Sequence, residues 1–256
     1  MPVYKFLRTS DVDRVLVDGT VRISSLEHFR RLEASRQWIA DRDEGSARLE
    51  IQNLSVTGGP GDAIAAATPP GSVPLVSMAP GVTAQFENIS FQWACPNVHI
   101  YSASRGEYRD HHKSMGTDGY DACLEIRDID LLAHRLLHRG HIRELANARM
   151  RNCFARCEIA DVTYEAMVRP PGAGRLPAPS PFRKDRAFAA QLEVRIAFWP
   201  VPNVTVPPVV TVVLDQGGDI FARVYRGDSS LALARMTKAE ARRSRRNAKR
   251  AARDQE

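Results

Sequence analysis

Short apolar runs of strand length recur along the whole chain, and none of them grows long. Residues 209–214 and 220–225 are nearly continuous apolar runs that suit buried strands. Residues 192–198, Leu-Glu-Val-Arg-Ile-Ala-Phe, alternate more clearly. No run reaches the roughly 18 apolar residues of a membrane span, so none is expected. Such a chain must build its core from many short strands and a few short helices. The expected fold class is α+β, with mixed, mostly antiparallel sheet. Hydrophobic residues at 43% and charged residues at 26% of 256 exclude a collagen-like, mucin-like or wholly disordered protein.

The opening reads strand, helix, strand, helix. Residues 3–8 are β-like, and Thr9 or Ser10 can cap a short helix carrying Val12, Val15, Leu16 and Val17. Asp18-Gly19 makes a turn, 21–24 is a second strand, and 26–38 has helical spacing through Leu26, Phe29 and Leu32. Residues 57–81 are rich in Gly, Pro and Ala and read as a long loop, a lid or an insertion; 169–181 is a second Pro-rich loop. Strands are expected at 89–93, 98–102, 122–126 and 157–168, a helix at 128–138, and a short amphipathic stretch at 185–190. There are no internal repeats. The expected organisation is one domain over residues 1–234 followed by a tail.

That tail holds all of the net charge. Residues 235–256 carry nine Lys/Arg against three acids, and residues 1–234 carry twenty-seven of each sign, so the whole +6 lies in the last stretch. After Met236 the tail has alanines that favour helix but no face able to bury a core. Arg242, Arg243, Arg245, Arg246, Lys249 and Arg250 form the candidate grip on RNA, DNA or a ribosome-like surface. A solubilising terminus without a partner is the other reading. No Trp, Phe or Leu face points to a membrane anchor.

Cys95, Cys123, Cys153 and Cys157 lack the two-residue gaps of a zinc site, so reduced thiols and no metal are expected. Cys153 and Cys157 would share a face if helical. His134 and His138 are spaced as an i, i+4 pair, but Arg135 stands where a zincin has its Glu. They read as a solvated helix face, with Leu131, Leu132, Leu136 and Leu137 buried. His111-His112-Lys113 reads as an exposed loop cluster. Phosphate-loop, dinucleotide-fold and nucleophile-elbow signatures are absent, which argues against those enzyme classes. With no long apolar stretch at the start, the chain is expected to be cytoplasmic. On a strand running from Gln191, the side chains of Gln191, Glu193 and Arg195 would share one face and Leu192, Val194 and Ile196 the other. The polar face then meets water or lines a cleft.

Several stretches together resemble a widespread bacterial domain-of-unknown-function family. They are Tyr4-Lys5-Phe6, the segment from Leu16 to Ser25 with Phe29, Tyr101-Ser102-Ala103-Ser104, Gly119-Tyr120-Asp121, and Lys184 through Phe188 to Gln191-Leu192-Glu193-Val194-Arg195. Arg30-Arg31-Leu32 stands where that family has Asn-Asp-Pro. More distantly, the layout is similar to the ADP-ribosyltransferase fold. That resemblance implies a split sheet and an enzyme using NAD, of the toxin or phage-defence effector kind, acting on protein or nucleic acid. By it, Glu193 matches the catalytic carboxylate and Gln191 the target-orienting residue. Ser102 and Ser104 match the mid-chain serine strand, and Tyr4 or Arg8 the first-strand residue that holds the cofactor. The chemistry fits these types: a carboxylate steadies the cationic ribose formed when nicotinamide leaves, and hydroxyls with an Arg orient ribose and diphosphate. A non-catalytic nucleic-acid- or ribosome-associated protein acting through its tail, and a structural or virion protein, are the alternatives.

Overall fold

The computed structural model describes residues 3–32, 45–58, 80–106, 120–166, 168–169, 178–214 and 219–226. His111, His112, Lys113, the greater part of both Pro-rich loops and the basic tail lie outside the described residues. In chain order the strands are β1 (Val3–Leu7), β2 (Thr20–Ser25), β3 (Ser46–Thr57), β4 (Thr83–Ala94), β5 (His99–Arg105), β6 (Ala122–Ile126), β7 (His141–Ile142), β8 (Ala148–Arg149), β9 (Phe154–Asp161), β10 (Thr163–Glu165), β11 (Val168–Arg169), β12 (Arg183–Asp185), β13 (Glu193–Pro200), β14 (Val209–Val213) and β15 (Phe221–Arg226). The helices are α1 (Thr9–Leu16), α2 (Leu26–Leu32), α3 (Ile129–Arg139) and α4 (Met150–Cys153), with 3₁₀ turns at Arg143–Leu145 and Arg186–Gln191. The class is α+β with mostly antiparallel sheet.

The described chain divides into two compact units, each made of separated segments. The first takes residues 1–28, 98–161 and 191–256; the second takes 29–97 and 162–190. Composition along the chain cannot mark such a division, because neither unit is contiguous.

In the first unit a wholly antiparallel sheet runs β15-β6-β1-β5-β2-β14-β7-β8, and β13 branches from β5 to carry β9. Val3, Leu7, Val21, Ile23, Tyr101, Ala103, Leu124, Val194, Ile196 and Phe198 put one face of the sheet into a single core. The helices α1, α3 and α4 contribute Val12 and Leu16, Leu132 and Leu136, and Met150 and Cys153 to it. In α1 the buried Val12 and Leu16 are one turn apart, which is the period that lets a short helix lie on a sheet. Its first N–H, at Thr9, is met not by a local cap but by Asp121 Oδ1 at 2.6 Å. The chain leaves α1 through Gly19, whose φ of +64° explains the Asp-Gly turn. Asp128 caps α3 by accepting from Leu131 N at 2.9 Å.

Several local expectations shift. Leu131, expected in the core, is exposed, while His134 and His138 lie on the exposed face with their rings 4.6 Å apart. Cys153 ends α4 and Cys157 belongs to β9, so the two do not share a helix face. All four cysteines are free thiols. The stretch expected as one strand at 157–168 is broken: β9 ends at Asp161, β10 follows after Val162, and Val168 already begins β11.

The second unit holds β3 and β4 in antiparallel register from Ser46↔Ala94 to Thr57↔Thr83, with β11 parallel to β3, and a separate parallel pair of β10 and β12. Reading the sequence did not find β3. Its apolar positions change parity between Ile51 and Leu54, which breaks the alternation that marks a strand. Among the described residues no helix is long and apolar enough to cross a membrane.

Candidate functional site

The first unit's sheet is split at β5. On one edge, β5 pairs with β13 continuously from Glu193↔Ser104 to Phe198↔His99. Its other edge is shared by two strands. Tyr4 of β1 pairs with Ser104, and Ser24 of β2 pairs with Ile100. Between them Ser102 has no register partner on either strand, and this is where β1 and β2 part. In a strand every second residue turns its backbone groups to the same edge, so the Ser102 carbonyl points into the parting. Lys5 Nζ meets it at 2.7 Å and also lies 4.7 Å from the Tyr101 ring centroid. The lysine thus fills the gap with a donor that the missing backbone N–H would have supplied.

The register decides which side chains stand together. Residues directly opposite one another in an antiparallel pair share a face. Tyr4 of β1, Ser104 of β5 and Glu193 of β13 therefore form one lateral row, extended on the far side by Glu125 of β6. Ser102 and Arg195 form the next row on the same face. This is the face turned away from the core residues Tyr101, Ala103, Val194 and Ile196. Tyr4, Ser104, Glu193 and Arg195 are all buried, and Ser102 is half-buried. The acid expected to be catalytic is thus not bathed in solvent, nor is the strand half-exposed.

Glu193 and Arg195 form a two-pronged ion pair, with Nε to Oε1 at 2.9 Å and Nη2 to Oε2 at 3.1 Å. Arg195 is 0% exposed. A guanidinium fork and a carboxylate two residues apart on a strand face match in geometry, and burial makes each depend on the other. Burial pulls the Lys5 ammonium down from 10.5 to about 8, with the Glu193 charge resisting the fall and the Arg22 charge adding to it. Burial likewise pushes the Tyr101 hydroxyl and the Cys123 thiol well up. Tyr4, Phe6 and Cys123 form a small apolar cluster beside the row, with Tyr120 against it.

Two expectations about the site need correction. Gln191 is not on the strand: it ends the 3₁₀ turn, and β13 begins only at Glu193. Leu192 between them has φ of +42°, so the alternation that would align Gln191 with Glu193 is broken by a left-handed residue. Gln191 is nevertheless buried, and Leu192 is 48% exposed, not on the core side. The turn is held from β5, where Arg105 N donates to Leu192 O at 2.8 Å. Arg8 follows the end of β1 and is exposed. It lies four residues from Tyr4, about 13 Å along an extended chain, and so outside the row.

Two residues near the site escaped the sequence reading. Lys5 interrupts an otherwise apolar strand, Val-Tyr-Lys-Phe-Leu, and Arg22 stands between Val21 and Ile23 in the mixed strand Thr-Val-Arg-Ile-Ser-Ser. A lone cation in such a setting was the available signal. No protein-family model, curated protein or solved structure matches the chain.

Proposed function

We propose that this protein is an ADP-ribosyltransferase-like enzyme of the cytoplasm that uses NAD as the donor, with Glu193 as its central carboxylate. One observation carries the reading. Tyr4, Ser104 and Glu193, singled out on separate strands, fall into a single lateral row beside the split of the sheet. The chemistry asks for little more. The ribosyl C–N bond to nicotinamide breaks and its electron pair leaves with the ring nitrogen. Positive charge builds on the ribose, and a nucleophile of the acceptor attacks the same carbon and loses its proton. A fixed carboxylate that accepts a ribose hydroxyl hydrogen bond stabilises that state. Arg195 suits Glu193 to this role, because a paired guanidinium keeps a carboxylate ionised instead of letting it serve as an acid. Tyr4 and Ser104 supply hydroxyls in the same row to orient the sugar.

The test is incubation of the purified chain with labelled NAD and cell extract. Wild type is expected to release nicotinamide and to label protein or nucleic acid, and Glu193→Gln to do neither. Because that variant leaves Arg195 buried beside a neutral amide, Tyr4→Phe serves as a second probe, and its rate is expected to fall by more than any change in its folded fraction accounts for. Wild type that neither releases nicotinamide nor labels anything overturns the proposal.

The charge layout supports a companion reading, in which residues 235–256 hold the enzyme near RNA or DNA. Truncation after Leu233 should abolish nucleic-acid binding, whose affinity should fall by roughly 0.7–0.9 log units per phosphate contact for each log unit of salt. Undiminished binding by the truncated chain rejects it.

A further inference from the structure

We propose that Arg22 makes the parting between β1 and β2 an anion site, and that the group it takes is a diphosphate. This rests on the reading above, since it names the part of the donor that the site would grip. The placement follows from register. Ser24 pairs with Ile100, so Arg22, two residues earlier on β2, is on the same sheet face as Ser24, Ile100, Ser102 and Ser104. Continuing the antiparallel register would set Arg22 against Ser102 from one side, as it would set Phe6 against Ser102 from the β1 side. Neither pairing is made, because this is where the strands part. Arg22 therefore stands at the lip of the split, on the face that carries Tyr4, Ser104 and Glu193. Val21 and Ile23, its neighbours in sequence, point into the core and fix it there.

The other cations nearby are already committed. Arg195 is locked to Glu193, and Lys5 donates to the Ser102 carbonyl. Arg8, the first-strand arginine, sits well away past the end of β1. Arg22 alone among these is exposed at the split, and no hydrogen bond or ion pair holds its guanidinium among the described residues. Its charge also reaches Lys5, where it disfavours a second ammonium. Lys5 enters the gap from the core face, beside Tyr101, and Glu193 is matched by Arg195, so Arg22 leaves one uncommitted positive charge on the site face that an anion would neutralise. A guanidinium is the group best matched to paired phosphate oxygens. The assignment gives the diphosphate to Arg22, whereas Arg8, expected with Tyr4 as a candidate to hold the cofactor, stands away from the split.

The test is calorimetric titration of the full-length protein with inorganic pyrophosphate and with ADP-ribose at fixed ionic strength. The variants are Arg22→Gln, Arg8→Gln, and a chain with the six tail residues from Arg242 to Lys249 and Arg250 changed to Gln. Wild type and the tail variant are expected to bind one pyrophosphate per chain. Arg22→Gln should weaken it roughly ten- to a hundredfold, the scale of a lost charge-assisted contact, with an unchanged melting temperature because Arg22 is exposed. Arg8→Gln should bind like wild type. Wild-type affinity in Arg22→Gln, or loss of the one-to-one event in the tail variant, overturns the inference. The two proposals fail separately. Nicotinamide release that survives with pyrophosphate binding indifferent to Arg22 sinks the anion site alone. Arg22-dependent pyrophosphate binding without any nicotinamide release sinks the transferase reading alone.

Discussion

Breaking the Glu193–Arg195 pair is the sharpest test of the site's physical basis. Arg195 is fully buried and Glu193 nearly so, and they meet through two hydrogen bonds of 2.9 and 3.1 Å. Removing one charge from such a pair leaves the other desolvated and uncompensated, which costs about 3–5 kcal/mol. Replacing both with apolar residues of similar volume avoids that loss and is often neutral. Glu193→Gln and Arg195→Met should therefore each destabilise the protein by about 3–5 kcal/mol, while Glu193→Leu/Arg195→Met together should cost far less than the two single changes added. At about 2–4 °C per kcal/mol for a protein of this size, each single variant should melt roughly 10 °C below wild type. Urea unfolding with matched slopes, read by circular dichroism, measures the difference. The Glu193 charge also supports protonated Lys5, so Glu193→Gln should lower the pH at which Lys5 loses its proton. A Glu193→Gln variant costing under about 1 kcal/mol, or a double variant no better than the sum of its parts, would show that the pair is solvated and the argument wrong.

The remaining expectations are more local. Lys5 holds its proton less tightly when folded, near pH 8, than when unfolded, near 10.5. The unfolded chain binds more protons between those values, so stability should rise by roughly 1 kcal/mol from pH 7 to 9. Above that it should fall, because Cys123 and Tyr101 ionise only once unfolded; Lys5→Met should flatten the rise, as read by urea midpoints across the range. Gly140 closes α3 where an added Cβ would stand 2.4 Å from the Leu136 carbonyl oxygen and 2.5 Å from Val212 Cγ1, so Gly140→Ala should destabilise by about 1–3 kcal/mol in thermal melts. Asp121 caps α1 from a distant part of the chain, so Asp121→Ala should speed amide hydrogen exchange in the first turn of α1 and leave α3, which Asp128 caps, unchanged.

What was legible in the sequence follows from which forces act locally. Strand β13 could be found because Glu193 to Phe198 alternates faces, and α3 because its leucines repeat at helical spacing and Asp128 precedes them. Gln191 could not be placed, since one left-handed residue at Leu192 cancels the alternation and nothing in a leucine announces a positive φ. The polar face was readable as a set of types, but not as buried: burial depends on what covers a surface, and the pattern on one strand carries no information about that. The split is further out of reach. It exists because β1 and β2 share one edge of β5 at Ser104 and Ile100, a consequence of register between segments some eighty to a hundred residues apart. Yet it leaves a trace. A sheet that parts must satisfy a backbone carbonyl that lost its partner strand, and a side chain long enough to reach it must come from the adjoining strand. Lys5, a single cation amid Val3, Tyr4, Phe6 and Leu7, meets that need at Ser102. Lys5 thus carries the trace of the interruption and Arg22 stands on its opposite lip, but the pattern alone is not diagnostic, because Arg195 has the same Val-Arg-Ile setting in β13, where the pairing with β5 is continuous. That correspondence can be checked by substitution: Lys5→Met should leave the Ser102 carbonyl without its donor and cost stability even at pH 7, whereas Arg22→Gln, which satisfies no backbone group, should not.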